Sequence, residues 1–366
     1  MHQPAKLLWT TRYKENWDEA HTRMMAWWAG DGLDRPLVLT PATRTGARPF
    51  ALDRWPGPAE CELDEAFQLA ATRHRLENQR YLAESAPFAW TSYGSLLCML
   101  AAMAGAPVHY DRTTGLPWIA LVDELLARPL PAFDAACPPY AFAIRMIDRH
   151  HALFGTDVIL GSNPMIDPLT TLSMIHGVEA LCVDLLERPE VVMAWAERLN
   201  ALYLQIVAGY HTARAAHGRR EDYSWTGVWA PGDMDALQCD FSTMLSPAMF
   251  NRYAMPLVEQ QAAFYDYALW HLDGTQEIRH LDAICSVPKI RAIQWISEKR
   301  GSQLEYLDLF RRIRQDGRAL TLNVAGADEA VALTKALGKD GLAFSLWGGP
   351  YSEQDIETLC ARLAAV

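Results

Sequence analysis

From about residue 158 to the C-terminus, short apolar runs alternate with longer stretches whose apolar positions recur every three or four residues. The runs at 158–162, 223–229, 267–273, 292–297, 319–325 and 342–347 read as strands. The stretches at 169–186, 189–216, 246–266, 276–284, 303–315, 328–337 and 352–365 read as helices. Ser246-Pro247 has the residue types of a helix start, a hydroxyl at the N-cap and proline at the first helical position. Nearer the N-terminus, 14–30 forms a helix carrying Trp17, Met24, Trp27 and Trp28, stopped at Gly30-Asp-Gly32 and followed by a buried strand at 37–41. The stretch 63–85 is amphipathic, 88–92 supplies a further strand, and 120–128 and 138–153 read as helical. Repeated strand–helix units imply parallel strands joined by right-handed crossovers. Eight such strands predict an α/β fold, a (β/α)8 TIM-like barrel. The expected organisation is a single barrel domain over 36–366 with an N-terminal helical extension over 1–35. Neither GxGxxG nor GxxxxGK[ST] is present, so an open nucleotide-binding sheet has no support.

Composition narrows the function classes. Half the residues are hydrophobic and 21% are charged, which excludes a disordered chain. The net charge of −11 argues against nucleic acid as a partner, because phosphate binding needs a basic face. No basic start precedes an apolar segment, and no run approaches the roughly 18 apolar residues of a membrane span. The seven cysteines, at 61, 98, 137, 182, 239, 285 and 360, are dispersed without a CxxC pair and read as reduced thiols in a cytoplasmic protein.

The candidate chemistry centres on Tyr267-Ala-Leu-Trp-His-Leu-Asp-Gly274. In a strand, alternate side chains share a face, so His271 and Asp273 point the same way. At the C-terminal end of a barrel strand, such a pair can hold a metal, bind a polar substrate or form a buried structural hydrogen bond. Glu277, one turn on, either joins the site as a third metal ligand or complements a helix dipole. Asp240, in a loop at the same rim, and Glu298, after the 292–297 strand, are candidate acid or base groups. Trp229 and Trp347 end strands and are candidate walls for a planar or sugar-like substrate. Tyr93 and Ser162 end earlier strands and are candidate ligand contacts. Trp270 alternates to the opposite face from His271 and belongs to packing between strand and helix. Asp233 and Asp235 read as solvated, and His150-His151 as exposed helix residues.

The stretch Asp240-Phe-Ser-Thr-Met-Leu-Ser-Pro-Ala-Met-Phe250, with Pro256 and then His271-Leu-Asp-Gly274, resembles the uroporphyrinogen decarboxylase superfamily, which includes the corrinoid-dependent methyltransferases. Gly177-Val-Glu-Ala-Leu-Cys-Val-Asp-Leu-Leu-Glu-Arg-Pro-Glu190 is similar to the helix-pair motif of that group. Leu320-Thr-Leu-Asn-Val-Ala325 and Ser345-Leu-Trp-Gly-Gly349 fall where its last two strand ends carry signatures. The likeness covers about 158–366 well and the first 150 residues weakly. It implies a TIM-like barrel. In the methyltransferases the strand end reads His-x-Cys-Gly, and a second Cys near the last strand completes a zinc site. Here Asp273 stands at the first Cys position and no Cys follows in 345–349. The decarboxylases grip carboxylates with two Arg four residues apart, a spacing that Arg44-Thr-Gly-Ala-Arg48 repeats, but their last-loop histidine is absent.

Three functions follow as expectations. The first is a metal-assisted methyltransferase-type enzyme acting on a small methylated or sugar-like substrate, with zinc or another divalent metal and a corrinoid-carrying partner protein. The second is a cofactor-free decarboxylase or lyase holding a carboxylated substrate through Arg44 and Arg48. The third is a non-catalytic small-molecule or corrinoid-partner binding protein. A homodimer stays open.

Overall fold

The computed structural model describes residues 9–55, 57–90, 98–114, 116–161, 165–299 and 301–366. Its centre is a parallel sheet of six strands: β1 (Leu37–Val38), β4 (Met234–Leu237), β5 (Tyr267–Asp273), β6 (Ile290–Ile296), β7 (Ala319–Val324) and β8 (Leu342–Leu346). They lie in the order β1-β8-β7-β6-β5-β4. Two further short strands, β2 (Phe88–Ala89) and β3 (Ile159–Leu160), form a separate parallel pair. The expected eight-stranded closure is therefore met in part. The architecture is mixed α/β with a six-stranded parallel sheet, and no continuous ladder closes it among the described residues.

Helices cover the sheet as the sequence periodicity predicts. They are α1 (Trp17–Ala29), α2 (Glu65–Asn78), α3 (Pro138–Phe154), α4 (Pro168–His176), α5 (Val178–Glu187), α6 (Pro189–Ala216), α7 (Met255–Phe264), α8 (Leu307–Gln315), α9 (Ala327–Leu337) and α10 (Glu353–Ala364). Ser246 caps its helix by accepting from the N–H of Met249, with Pro247 behind it. The chain then bulges through a π-turn at Phe250–Ala254 before α7. In α5, Asp184 accepts from Arg188 Nε at 2.6 Å and lies 2.7 Å from His176 Nε2, which ties α4, α5 and the start of α6 together. The 120–128 stretch forms only a 3-10 turn at Leu125–Ala127, because Pro129 and Pro131 follow at once. Among the described residues, no single helix is long and apolar enough to cross a membrane.

Strand alternation divides the core in two. One set of positions, including Trp270, Leu272, Ile293, Trp295, Leu320, Leu322 and Phe344, packs under the helices. Trp270 meets Phe250 edge-on there, with ring centroids 6.4 Å apart. The alternate set begins with Leu37, Leu269, Ala292, Ala319 and Ala343, and α1 packs against it. Small alanines at these early strand positions leave room that large rings fill. Trp17, Trp27, Trp28 and Trp229 are all buried in this cluster. Trp28 Nε1 donates to the Trp229 carbonyl at 3.1 Å, and Trp229 Nε1 donates to the Glu84 carbonyl at 2.9 Å. One or two steps further along the same strands, this face turns polar.

Four sequence readings change here. The run at 223–229 is not one strand. Asp222–Tyr223 pairs antiparallel with Trp229–Ala230, and the chain turns between them at Ser224–Gly227. The sheet strand is instead β4, whose Asp235 is buried rather than solvated. Its carboxylate accepts from the Tyr203 hydroxyl at 2.9 Å and the Tyr265 hydroxyl at 3.1 Å, and burial pushes it up to about 7. Asp233 is partly buried and accepts from Arg214 Nη2 at 3.0 Å. His150 is likewise buried in α3, and desolvation lowers it to about 3.

Candidate active site

Register builds the site. His271 on β5 stands beside Gln294 on β6, which stands beside Thr321 on β7. Asn323 on β7 stands beside Ser345 on β8. These residues share parity with the small alanines beneath them, so they point to the same face, nearer the C-terminal ends of the strands. A cavity of about 560 Å³ opens there. His271, Asp273, Gln294, Asn323 and Ser345 supply its polar wall, and Tyr223, Trp225 and Trp347 its aromatic one. Among the described residues, no Arg or Lys lines it. Thr40 completes the rim, accepting the Leu346 N–H at 2.7 Å and so joining the loop after β1 to the end of β8.

His271 is buried and held on two sides. Its Nδ1 lies 2.5 Å from Gln294 Oε1, and the Trp225 ring meets it edge-on at 4.7 Å and 77°. Its other nitrogen, Nε2, is 3.9 Å from Asp273 Oδ2, too long for a hydrogen bond. The Asp273 side chain is 49% exposed, so the gap between the two groups is open to a ligand. Trp225 reaches this position from the turn of the 222–230 hairpin. Its Nε1 is covered but has no acceptor, an unpaired donor in the cavity wall.

A layer of carboxyl groups lies behind the pair. Glu277 accepts from the Asp273 N–H at 3.1 Å and from the Ser242 hydroxyl at 3.0 Å. Burial pushes Glu277 up to about 8. His280 Nε2 lies 3.0 Å from the Ser242 carbonyl oxygen. Asp240 is pushed up to about 6, first by burial and then by the charge of Asp167, while His271 pulls it down. Asp167 is fully buried and raised as well, although it caps α4 by accepting from the N–H groups of Leu169 and Thr170. At neutral pH the inner end of the site thus keeps a proton on Glu277, with Asp240 and Asp167 both raised above the ordinary carboxylate range.

The other expected residues fall differently. Glu277 does not turn toward His271 as a third metal ligand, because its two oxygens are taken by Asp273 and Ser242. Glu298 is exposed and closes the loop after β5, accepting from the N–H and hydroxyl of Thr275. A side chain at Gly274, where φ is +85°, would crowd that carboxylate. Trp229 is no pocket wall: the turn at 224–227 sends it back into the core beside α1. Trp347 does line the cavity and is 54% exposed. Arg44 is turned away and donates from Nε to the Gln79 carbonyl at 2.8 Å, and Arg48 is exposed. Neither belongs to the cavity lining. Tyr93 and Ser162 lie outside the described residues. Trp225, Gln294, Asn323 and Ser345 were not among the sequence candidates. Period-two reading of 290–296 and 319–324, in step with His271, brings out Gln294 and Asn323.

The residues present do not fit a bound zinc. Among the described residues, no three His, Cys, Asp or Glu side chains converge as a ligand group. Asp273 offers oxygen in place of a thiolate, and no cysteine lines the cavity.

No family model matches the sequence, and no curated protein matches it. A solved structure does: a methyltransferase from Methanosarcina mazei superposes with a TM-score of 0.59. It shares 15% sequence identity and is matched over 94% of this chain and 98% of its own. At that identity the likeness concerns the fold.

Proposed function

We propose that this chain is a methyltransferase-type enzyme acting on a small O-methylated, sugar-like substrate, with His271 as its acid–base group. The observation that carries this reading is the facing of His271 Nε2 and the Asp273 carboxylate across 3.9 Å in an open cavity. The aromatic walls Tyr223, Trp225 and Trp347 suit the apolar faces of a sugar ring, and Asn323, Ser345 and Gln294 suit its hydroxyls. The fold shared with a methyltransferase structure supports methyl transfer as the reaction class.

In the demethylating direction, the methyl carbon bonds to the acceptor as its bond to the substrate oxygen breaks. The electron pair leaves with that oxygen. His271, as imidazolium, donates its Nε2 proton to the oxygen, so the product departs as a neutral alcohol. Asp273 faces Nε2 across 3.9 Å and orients the substrate. Asp240, raised to about 6 and within reach of the charge of His271, is the group from which the proton is replaced. The acceptor is proposed as a corrinoid carried by a partner protein, in keeping with the sequence resemblance.

The carboxylate-gripping lyase loses support, since Arg44 and Arg48 are outside the cavity. The test is a panel of trideuteromethyl ethers of sugars and polyols, incubated with the protein and reduced cobalamin or a thiol as acceptor. Mass spectrometry then follows loss of the label. Demethylation by the wild type that disappears in His271→Ala supports the reading. No turnover of any member, or equal turnover in the variant, sinks it.

A further inference from the structure

We infer that Gln294 is a positioning residue that fixes the proton of neutral His271 on Nδ1, leaving Nε2 bare toward the cavity as a proton acceptor. This inference rests on the acid–base role proposed for His271 and specifies which nitrogen exchanges the proton. The carbonyl oxygen Gln294 Oε1 lies 2.5 Å from Nδ1, and the two residues are partners in the β5–β6 register. An amide oxygen can only accept, so Nδ1 must donate. The contact is kept when the ring is protonated, because Nδ1 carries hydrogen in both states. Proton exchange is thereby confined to Nε2, the nitrogen that faces Asp273.

The consequence is a cleft of two acceptors. Neutral Nε2 and the Asp273 carboxylate both offer lone pairs, 3.9 Å apart, with no hydrogen to share between them. Such a cleft takes a ligand group that donates, a hydroxyl or a protonated amine, and repels a carboxylate. Trp225, edge-on to the ring at 4.7 Å, keeps the imidazole from rotating out of this alignment. A glutamine in this place differs from the usual carboxylate partner of a catalytic histidine. It sets the tautomer without adding a charge that would hold the imidazolium too firmly.

The tautomer can be read without any substrate. Long-range 15N–1H spectra of the protein with labelled histidine distinguish protonated from bare ring nitrogens. They are recorded at about pH 8, above the ordinary imidazole range. The His271 signals are assigned by their absence in His271→Asn. The expected result is an Nδ1–H ring in the wild type, loss of that signature in Gln294→Met, and its return in Gln294→Glu, which keeps an acceptor oxygen. An Nε2–H ring in the wild type overturns the inference, since the glutamine then presents its NH2 group. So does an unchanged tautomer in Gln294→Met. Because these spectra involve no turnover, an Nδ1–H result stands even if no methyl ether is cleaved, and failure of the tautomer leaves the demethylation test intact.

Discussion

Glu277 reaches back from the turn after β5 to accept the backbone N–H of Asp273, 3.1 Å away, so that a buried carboxyl fixes the strand end bearing the exposed one. The contact has a cost that depends on pH. Burial raises Glu277 to about 8 from an ordinary value near 4.5. Folding therefore favours the protonated acid. Its contribution is fully present below pH 4.5 and is lost as pH rises through about 8, at roughly 1.4 kcal/mol per unit of raised pKa. Glu277→Gln is expected to flatten that part of the stability–pH curve, measured by urea unfolding between the two limits. A slope equal to that of the wild type contradicts the assignment.

Asp235 is predicted to be a structural anchor with no part in the chemistry. It accepts from Tyr203 on α6 and from Tyr265 after α7, which pins β4 beneath both helices. Tyr203→Phe should lower stability by about 1–2 kcal/mol through the lost hydrogen bond and leave ligand binding unchanged. Denaturant midpoints beside a binding titration of a methyl glycoside separate the two effects.

Glu84 ties the start of the sheet to α1. It accepts from Arg23 Nε at 2.7 Å, from Arg35 Nη1 and Nη2 at 3.0 and 2.9 Å, and from the Val38 N–H at 2.8 Å. Removing one partner of a buried ion cluster leaves the other charges unpaired. Glu84→Ala should therefore cost about 3–5 kcal/mol. Thermal unfolding reads this directly, and a loss below about 1 kcal/mol would count against the cluster as drawn.

Two tryptophans and two arginines separate cavity from core. Trp347→Ala should weaken binding of a methyl glycoside about tenfold or more by removing an exposed wall, with little change in melting temperature. Trp229→Ala should do the reverse, costing about 3–5 kcal/mol of stability. Arg44→Ala and Arg48→Ala should leave binding within about twofold, because neither side chain reaches the cavity. Isothermal titration on the four variants reads the binding changes, and thermal unfolding reads the stability changes.

Much of this was legible in the chain, for reasons that individual residues make clear. The strand at 267–273 stands out because an apolar run ends in His271, Asp273 and a glycine, and the structure places both side chains on one face. The strand at 234–237 was hidden, because Asp235 breaks its apolar run and its tyrosine partners lie about 30 residues away on either side in sequence. Trp229 misled for a related reason. A four-residue turn around Gly227 reverses the chain, and only the Thr226-Gly227 step hints at it. Gln294 is hard to read from sequence because a polar residue in a buried strand announces itself only beside its register partner. Glu277 was legible in place but not in partner, since a first-turn carboxylate can serve a backbone N–H as readily as a cation.

The most direct test of the central claim, that the face between His271 and Asp273 receives substrate, is a crystal structure of the protein soaked with a methyl glycoside. The expected result is density in the cavity with a sugar hydroxyl within hydrogen-bond reach of His271 Nε2 or the Asp273 carboxylate, and the ring stacked on Trp225 or Trp347. A glycoside bound elsewhere, with both side chains untouched, would contradict it.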